Sequence, residues 1–190
     1  VVAHGSYTIN TTNDDMGHLM VLYGKLYTPG LGMHHSLTLE ASYQNTLGGF
    51  HSKQVLSTLS FMSTRLLPRG FSSYEISNNH YTATALNYQM PVWYPERGLR
   101  GIVYFKRLRL NAGVDYASFT RSTFHPTTGN VMEFRKHIGS YGLDLGVDFN
   151  VLAMPEAATI SAKFSLYRRV AFDPYREGHI YYSVQIGLPF

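Results

Sequence analysis

The sequence has no cysteine, so neither a disulfide framework nor a thiolate-held metal can organise it. Charge is scarce as well: Asp, Glu, Lys and Arg make up 15% of the chain, against roughly 25% in soluble domains. That leaves little to coat a water-facing surface. The 16 Lys and Arg against 12 Asp and Glu give a net charge of only +4. The basic residues are scattered, so nothing tracks a phosphate backbone and no nucleic-acid partner is expected. No run approaches the roughly 18 consecutive apolar residues of a membrane-spanning helix. The opening VVAHGSYTIN lacks the basic-then-apolar order of a signal peptide. It starts inside an apparent strand, from which a fragment or processed piece is expected.

Signatures of covalent chemistry are missing too. There is no Gly-x-Ser-x-Gly elbow, no phosphate-cradling glycine loop and no His-Glu-x-x-His helix. His34 and His35 are adjacent on an expected strand and would point to opposite faces, so they cannot share one ion. Asp144 and Asp148 share a face but stand four residues apart, roughly 13 Å along a strand, too far for a shared-proton carboxylate pair. No enzymatic activity, cofactor or metal is expected.

What is abundant is aromatic residues, with 15 Tyr and 11 Phe, and alternation at a period of two. In SYGLDLGVDFNV, Tyr141, Leu143, Leu145, Val147, Phe149 and Val151 alternate with Ser140, Gly142, Asp144, Gly146, Asp148 and Asn150. The same pattern runs through SLTLEASYQ, TATALNYQMPV, IVYFKRLRLNAGVDYA, AATISAKFSLYR and the terminal HIYYSVQIGLPF. Weaker segments lie near 3–10, 18–27 and 54–61, for nine strands in all. The expected fold class is all-β, an antiparallel transmembrane β-barrel, with residues 1–190 forming part of one barrel domain.

The connections favour a membrane barrel over a soluble sheet. Counting back from Phe190, long loops are expected over about 62–79, 120–136 and 170–178, all at one end. Short turns at AMPEA and YPERGLRG fall at the other, the asymmetry of outer-membrane barrels. The polar parity carries Glu40, Asp115, Asp144, Asp148 and Lys163, which suits a wet lumen and is costly in a sandwich core. The terminal strand places Tyr182, Val184, Ile186, Leu188 and Phe190 on one lipid-facing parity. This resembles the carboxy-terminal signal by which bacterial outer-membrane barrels are recognised for insertion.

A second motif, LLPRGFSSYE, is followed by the strand HYTATALNYQMPVWYP and then by LRLNAGVDYA. This order resembles the BamA/TamA family of bacterial surface antigen barrels, over about residues 54–190. In that family a long extracellular loop carries an Arg-Gly-Phe or Arg-Gly-Tyr triplet that folds back into the lumen, and a following strand supplies an aspartate in a Phe-x-Asp-x-Gly pattern. Arg69, Gly70 and Phe71 match the triplet and Asp115 the aspartate; Gly113 stands where the family often has Phe, and Ala117 where it has Gly. The resemblance implies the last eight or nine strands of a 16-stranded barrel in the bacterial outer membrane. It also implies protein insertion or translocation through a barrel seam and a gating loop. The implied partners are outer-membrane lipid, unfolded or translocating protein clients, and accessory periplasmic proteins. A lumen carboxylate needs a partner, and a bidentate guanidinium supplies one; Arg107 and Arg109 share the face of Asp115 and compete with Arg69 for it. The alternatives are a complete eight-stranded barrel or passive pore, and a soluble β-sandwich binding module.

Overall fold

The alternating segments become strands in the computed structural model, which describes residues 2–8, 18–47, 66–72, 80–99, 102–124, 131–151, 159–171 and 179–187. The strands are β1 (Val2–Thr8), β2 (His18–Pro29), β3 (Ser36–Leu47), β4 (His80–Trp93), β5 (Arg97–Leu99), β6 (Val103–Phe124), β7 (Val131–Val151), β8 (Ile160–Ala171) and β9 (Ile180–Gly187). There is no helix among the described residues. Eight strands form one antiparallel meander in the order β1-β2-β3-β4-β6-β7-β8-β9. Each connection therefore joins spatial neighbours, which an antiparallel pair allows through a hairpin and a parallel pair only through a crossover. β1 and β9 are the two edges, and no pairing closes the sheet among the described residues.

The short β5 continues the work of β4. Trp93 faces Leu108 on β6, and Arg97 then faces Phe105. The register shifts between Pro91 and Trp93, where proline cannot donate to the ladder. Glu96, with φ 43°, sits in the break.

Three sequence expectations change. The expected loop 120–136 is mostly strand: β6 runs to Phe124 and β7 begins at Val131, with Thr120 opposite Arg135. Beyond Phe119 β6 has lost β4, and before Ile138 β7 has not yet met β8. Outside the ladders to β4 and β8, the β6–β7 pairing persists without alternation of apolar residues. Second, YPERGLRG holds β5 and is not a simple turn. Third, His34 and His35 belong to the turn between β2 and β3, where Gly30 N–H donates to His35 C=O (3.0 Å) and His34 has φ 63°. The glycines of TPGLGMHH outweigh the strand pattern. The expected segment near 54–61 lies outside the described residues.

Register sorts the side chains onto two faces. Leu26, Leu39, Leu86, Val114 and Tyr141 align in one row across five strands, and every one is exposed. Leu145, Phe164 and Val184 make another exposed row across β7, β8 and β9. The opposite face is the more buried one, and much of what it buries is polar: Ser42, Gln44, Asp115, Ser140, Asp144, Asp148 and Ser165. An antiparallel sheet in water does the reverse, packing its apolar face and wetting its polar one.

Candidate functional site

The sequence LLPRGF forms a tight turn laid on the more buried face. Phe71 N–H donates to Pro68 C=O (3.2 Å), and Gly70 has φ 85°, the value that the third position of a type II turn requires and only glycine adopts without strain. A Cβ on Gly70 would also press within 3.1 Å of Tyr181 Cβ. Leu66, Leu67 and Phe71 pack on a buried cluster of Tyr81, Ala83, Ala117, Phe119 and Ile138, and the Tyr81 hydroxyl donates to Leu66 C=O. Small side chains at Ala83, Ala85 and Ala117 leave the room that the turn occupies. The Phe71 ring lies under the Arg169 guanidinium, 4.8 Å from its Cζ.

This seat aims Arg69 down the sheet, and Arg69 meets Asp115. Nε and Nη2 reach the two oxygens of Asp115 at 2.8 and 2.7 Å, the bidentate fork, while the Arg69 backbone N–H donates to Oδ2 at 2.9 Å. Nη2 also donates to Asn87 Oδ1 (2.6 Å). Nη1 donates to the Tyr167 hydroxyl and to Asp144 Oδ2 (3.4 Å). All five guanidinium donors thus find acceptors. Ser140 Oγ donates to Asp115 Oδ2 (3.0 Å), and Asn111 Nδ2 to Asp144 Oδ2 (2.9 Å). Arg69 Cζ also lies 4.5 Å from the centroid of the Tyr167 ring, within cation–π range.

Register explains the convergence. Asn87, Gly113, Gly142 and Tyr167 form one row across β4, β6, β7 and β8. Asp115 lies in a row on one side of it, and Asp144 in a row on the other. Gly113 leaves a gap among the acceptors, and the guanidinium fills it; a Cβ on Gly142 would instead meet the β8 backbone at Leu166 and Tyr167. A Cβ on Gly113 would overlap the guanidinium, coming within 2.6 Å of Nη1 and 2.7 Å of Cζ. Burial alone would lower the Arg69 pKa; the hydrogen bonds and charge of Asp115, then Tyr167 and Asp144, outweigh it and hold the value above the ordinary one. Arg69 is permanently cationic.

Arg107 and Arg109, the competing partners, lie further down β6 and pair with Asp148 instead, Nη2 to oxygen at 2.7 and 2.8 Å. Sequence reasoning left Asn87, Asn111, Ser140 and Tyr167 out of the site. Their common signal is parity, since all share the polar face of their strands; their nearness needs the register.

Of the terminal-strand residues, Tyr182, Val184 and Ile186 stand on the bare face at 73%, 65% and 72% exposure. Leu188 and Phe190 lie outside the described residues. Comparison with protein-family models, with curated proteins and with solved structures finds no match.

Proposed function

We propose that the chain supplies strands of a bacterial outer-membrane β-barrel of the BamA/TamA type, which inserts or translocates proteins through a barrel seam and an Arg-Gly-Phe loop held in the lumen. The carrying observation is the Pro68–Phe71 turn, folded onto the polar face with every Arg69 donor paired. A loop arginine with no task beyond solubility stays in water; this one is drawn into a cradle of two carboxylates.

The bare face supports the membrane setting. Contiguous exposed apolar surface marks a membrane or partner contact, and here it extends across the sheet. Aromatic pairs bracket it on β6 and β7: Phe105 with Phe149, centroids 6.3 Å apart, and Tyr116 with His137, centroids 6.1 Å apart. Allowing for the extra residue at the bulge, the step from Phe105 to Tyr116 is roughly 33 Å along the strand, or roughly 23 Å along the membrane normal at a tilt of about 45°. That approaches the roughly 25 Å apolar band of such barrels between its aromatic girdles.

The activity needs no covalent step. A barrel of this type works by exposing strand edges and moving a loop, so the readout is client assembly. In cells relying on the Arg69→Ala protein, client barrels should fall in the outer membrane while the variant itself remains there. Normal client levels with Arg69→Ala would leave the passive pore.

A further inference from the structure

Gly113 has a counterpart lower on the same face. There Arg109, Gly146, Lys163 and Gln185 align across β6, β7, β8 and β9. Beside them runs a row of Arg107, Asp148 and Ser161. Asp148 accepts from Arg107 Nε (2.9 Å), from Arg109 Nη2 (2.8 Å) and from Ser161 Oγ, so one carboxylate serves two guanidiniums. Lys163 is exposed and has no hydrogen-bond or ion-pair partner among the described residues. Arg107, Arg109 and Lys163 are three cations against Asp148; Asp144, in the row on the other side of Gly146, is turned to Arg69 at 3.4 Å. Arg109 Nε is enclosed with no acceptor, a state that native structures rarely leave unexplained. A Cβ on Gly146 would stand 3.7 Å from that Nε and 3.9 Å from Nη2, so the space above Gly146 borders the guanidinium. Neighbouring strands lie roughly 5 Å apart, and the register sets Arg109 and Lys163 on the two strands that flank Gly146.

We propose that the basic cluster around Gly146, with Arg109 and Lys163 flanking it and Arg107 beside them, binds a phosphate-class anion. Around Gly113 a cation sits among acceptors; around Gly146 donors and cations gather instead. Planar guanidinium forks and a mobile ammonium are the groups that bind phosphate, and Arg107, Arg109 and Lys163 supply both. The ligand is inorganic phosphate or the phosphate headgroup of a lipid, and the chemistry of recognition is the same. The site needs only this face, whether or not the sheet closes.

The test is calorimetric titration of the detergent-solubilised chain, with inorganic phosphate in one arm and dihexanoyl phosphatidic acid in the other. One saturable site is expected in at least one arm, and the tighter arm identifies the source. Lys163→Ala, at an exposed position, should weaken binding roughly tenfold or more. Gly146→Asp, which sets a carboxylate between the cations, should abolish it. Gly146→Ala should keep the parent's unfolding transition, because its Cβ meets only ordinary contacts. Lys25→Ala, on the same face but paired with Glu40 at 3.0 Å, should bind phosphate as the parent does. Saturable binding in neither arm, parental affinity in Lys163→Ala, or equal weakening by Lys25→Ala would overturn the site.

Discussion

A guanidinium offers five N–H donors in one plane and a lysine ammonium three on a point, and the surroundings of Arg69 are built for the first. Asp115 is 3% exposed and takes both Nε and Nη2, so removing either partner strands a buried polar group. Losing one partner of such a pair costs about 3–5 kcal/mol; with the Arg69 side chain 26% exposed, water should hold the cost toward or below the lower end. Arg69→Ala and Asp115→Asn are expected to lower the unfolding midpoint in detergent by similar amounts, and the double variant should be little worse than either, because coupled residues are non-additive. Arg69→Lys should recover only part of the loss. Strict additivity in denaturant titrations would mean that the two side chains do not act as one unit. Gly113 extends the same logic: Gly113→Ala puts carbon where the guanidinium lies and should reproduce the Arg69→Ala defect, whereas Gly146→Ala should not. Equal tolerance of both changes would contradict the packing around Arg69. In the sequence, Arg69 and Asp115 could be linked through the family resemblance and the need of a lumen carboxylate for a partner. Asn87 and Tyr167 could not, because parity places a residue on a face and only register places it beside another.

At the scale of the strand, the same limit separates what could be read from what could not. Strands whose two faces have different surroundings were legible: β3, β4, β7 and β8 announce themselves by alternation. The β6–β7 extension beyond Phe119 and before Ile138 did not, since it lies outside the ladders to β4 and β8 that select apolar residues on one parity. The turn at Gly30–His35 was obscured for the opposite reason, because local glycine chemistry overrode an adjoining strand pattern. Alternation also yields a test of the bare face. Leu145, Phe164 and Val184 share one exposed row, and replacement of each by Arg should cost about 2–4 kcal/mol in lipid vesicles if the row lies near the bilayer midplane. The same substitutions would be nearly silent on a face in water, so small losses in vesicle unfolding measurements would remove the lipid from the picture. The terminal strand carries a different expectation. Replacing Leu188 and Phe190 by Ser should reduce assembly in cells more than it reduces the stability of refolded protein, because recognition precedes folding. Normal assembly of that variant would dissociate the aromatic end from insertion.

For the molecule as a whole, the inverted distribution of polarity is the property that unites the parts. A sheet that buries Asp115, Asp144 and Asp148 and bares Leu86, Val114 and Phe164 has the wrong sign for water on both faces and the right sign for a wet interior inside lipid. Direction follows from connectivity. In the meander, the connections β1–β2, β3–β4, β6–β7 and β8–β9 leave one end of the sheet, and β2–β3, β4–β6 and β7–β8 leave the other. The Arg69 turn belongs to β3–β4, so it enters from the first end, the outward one in the proposed barrel. Single cysteines can be introduced without background, because the chain has none. Cysteines at Ser73, Thr127 and Arg176, one in each of three connections of the first end, should react with a membrane-impermeant maleimide on intact cells. One at Glu156, in the β7–β8 connection, should react only after the outer membrane is opened. Labelling of Glu156 alone would invert the chain in the membrane and put the Arg69 turn on the periplasmic side. Labelling of all four without permeabilisation would mean that no bilayer separates the two ends, and the bare apolar face would then have to be covered by protein.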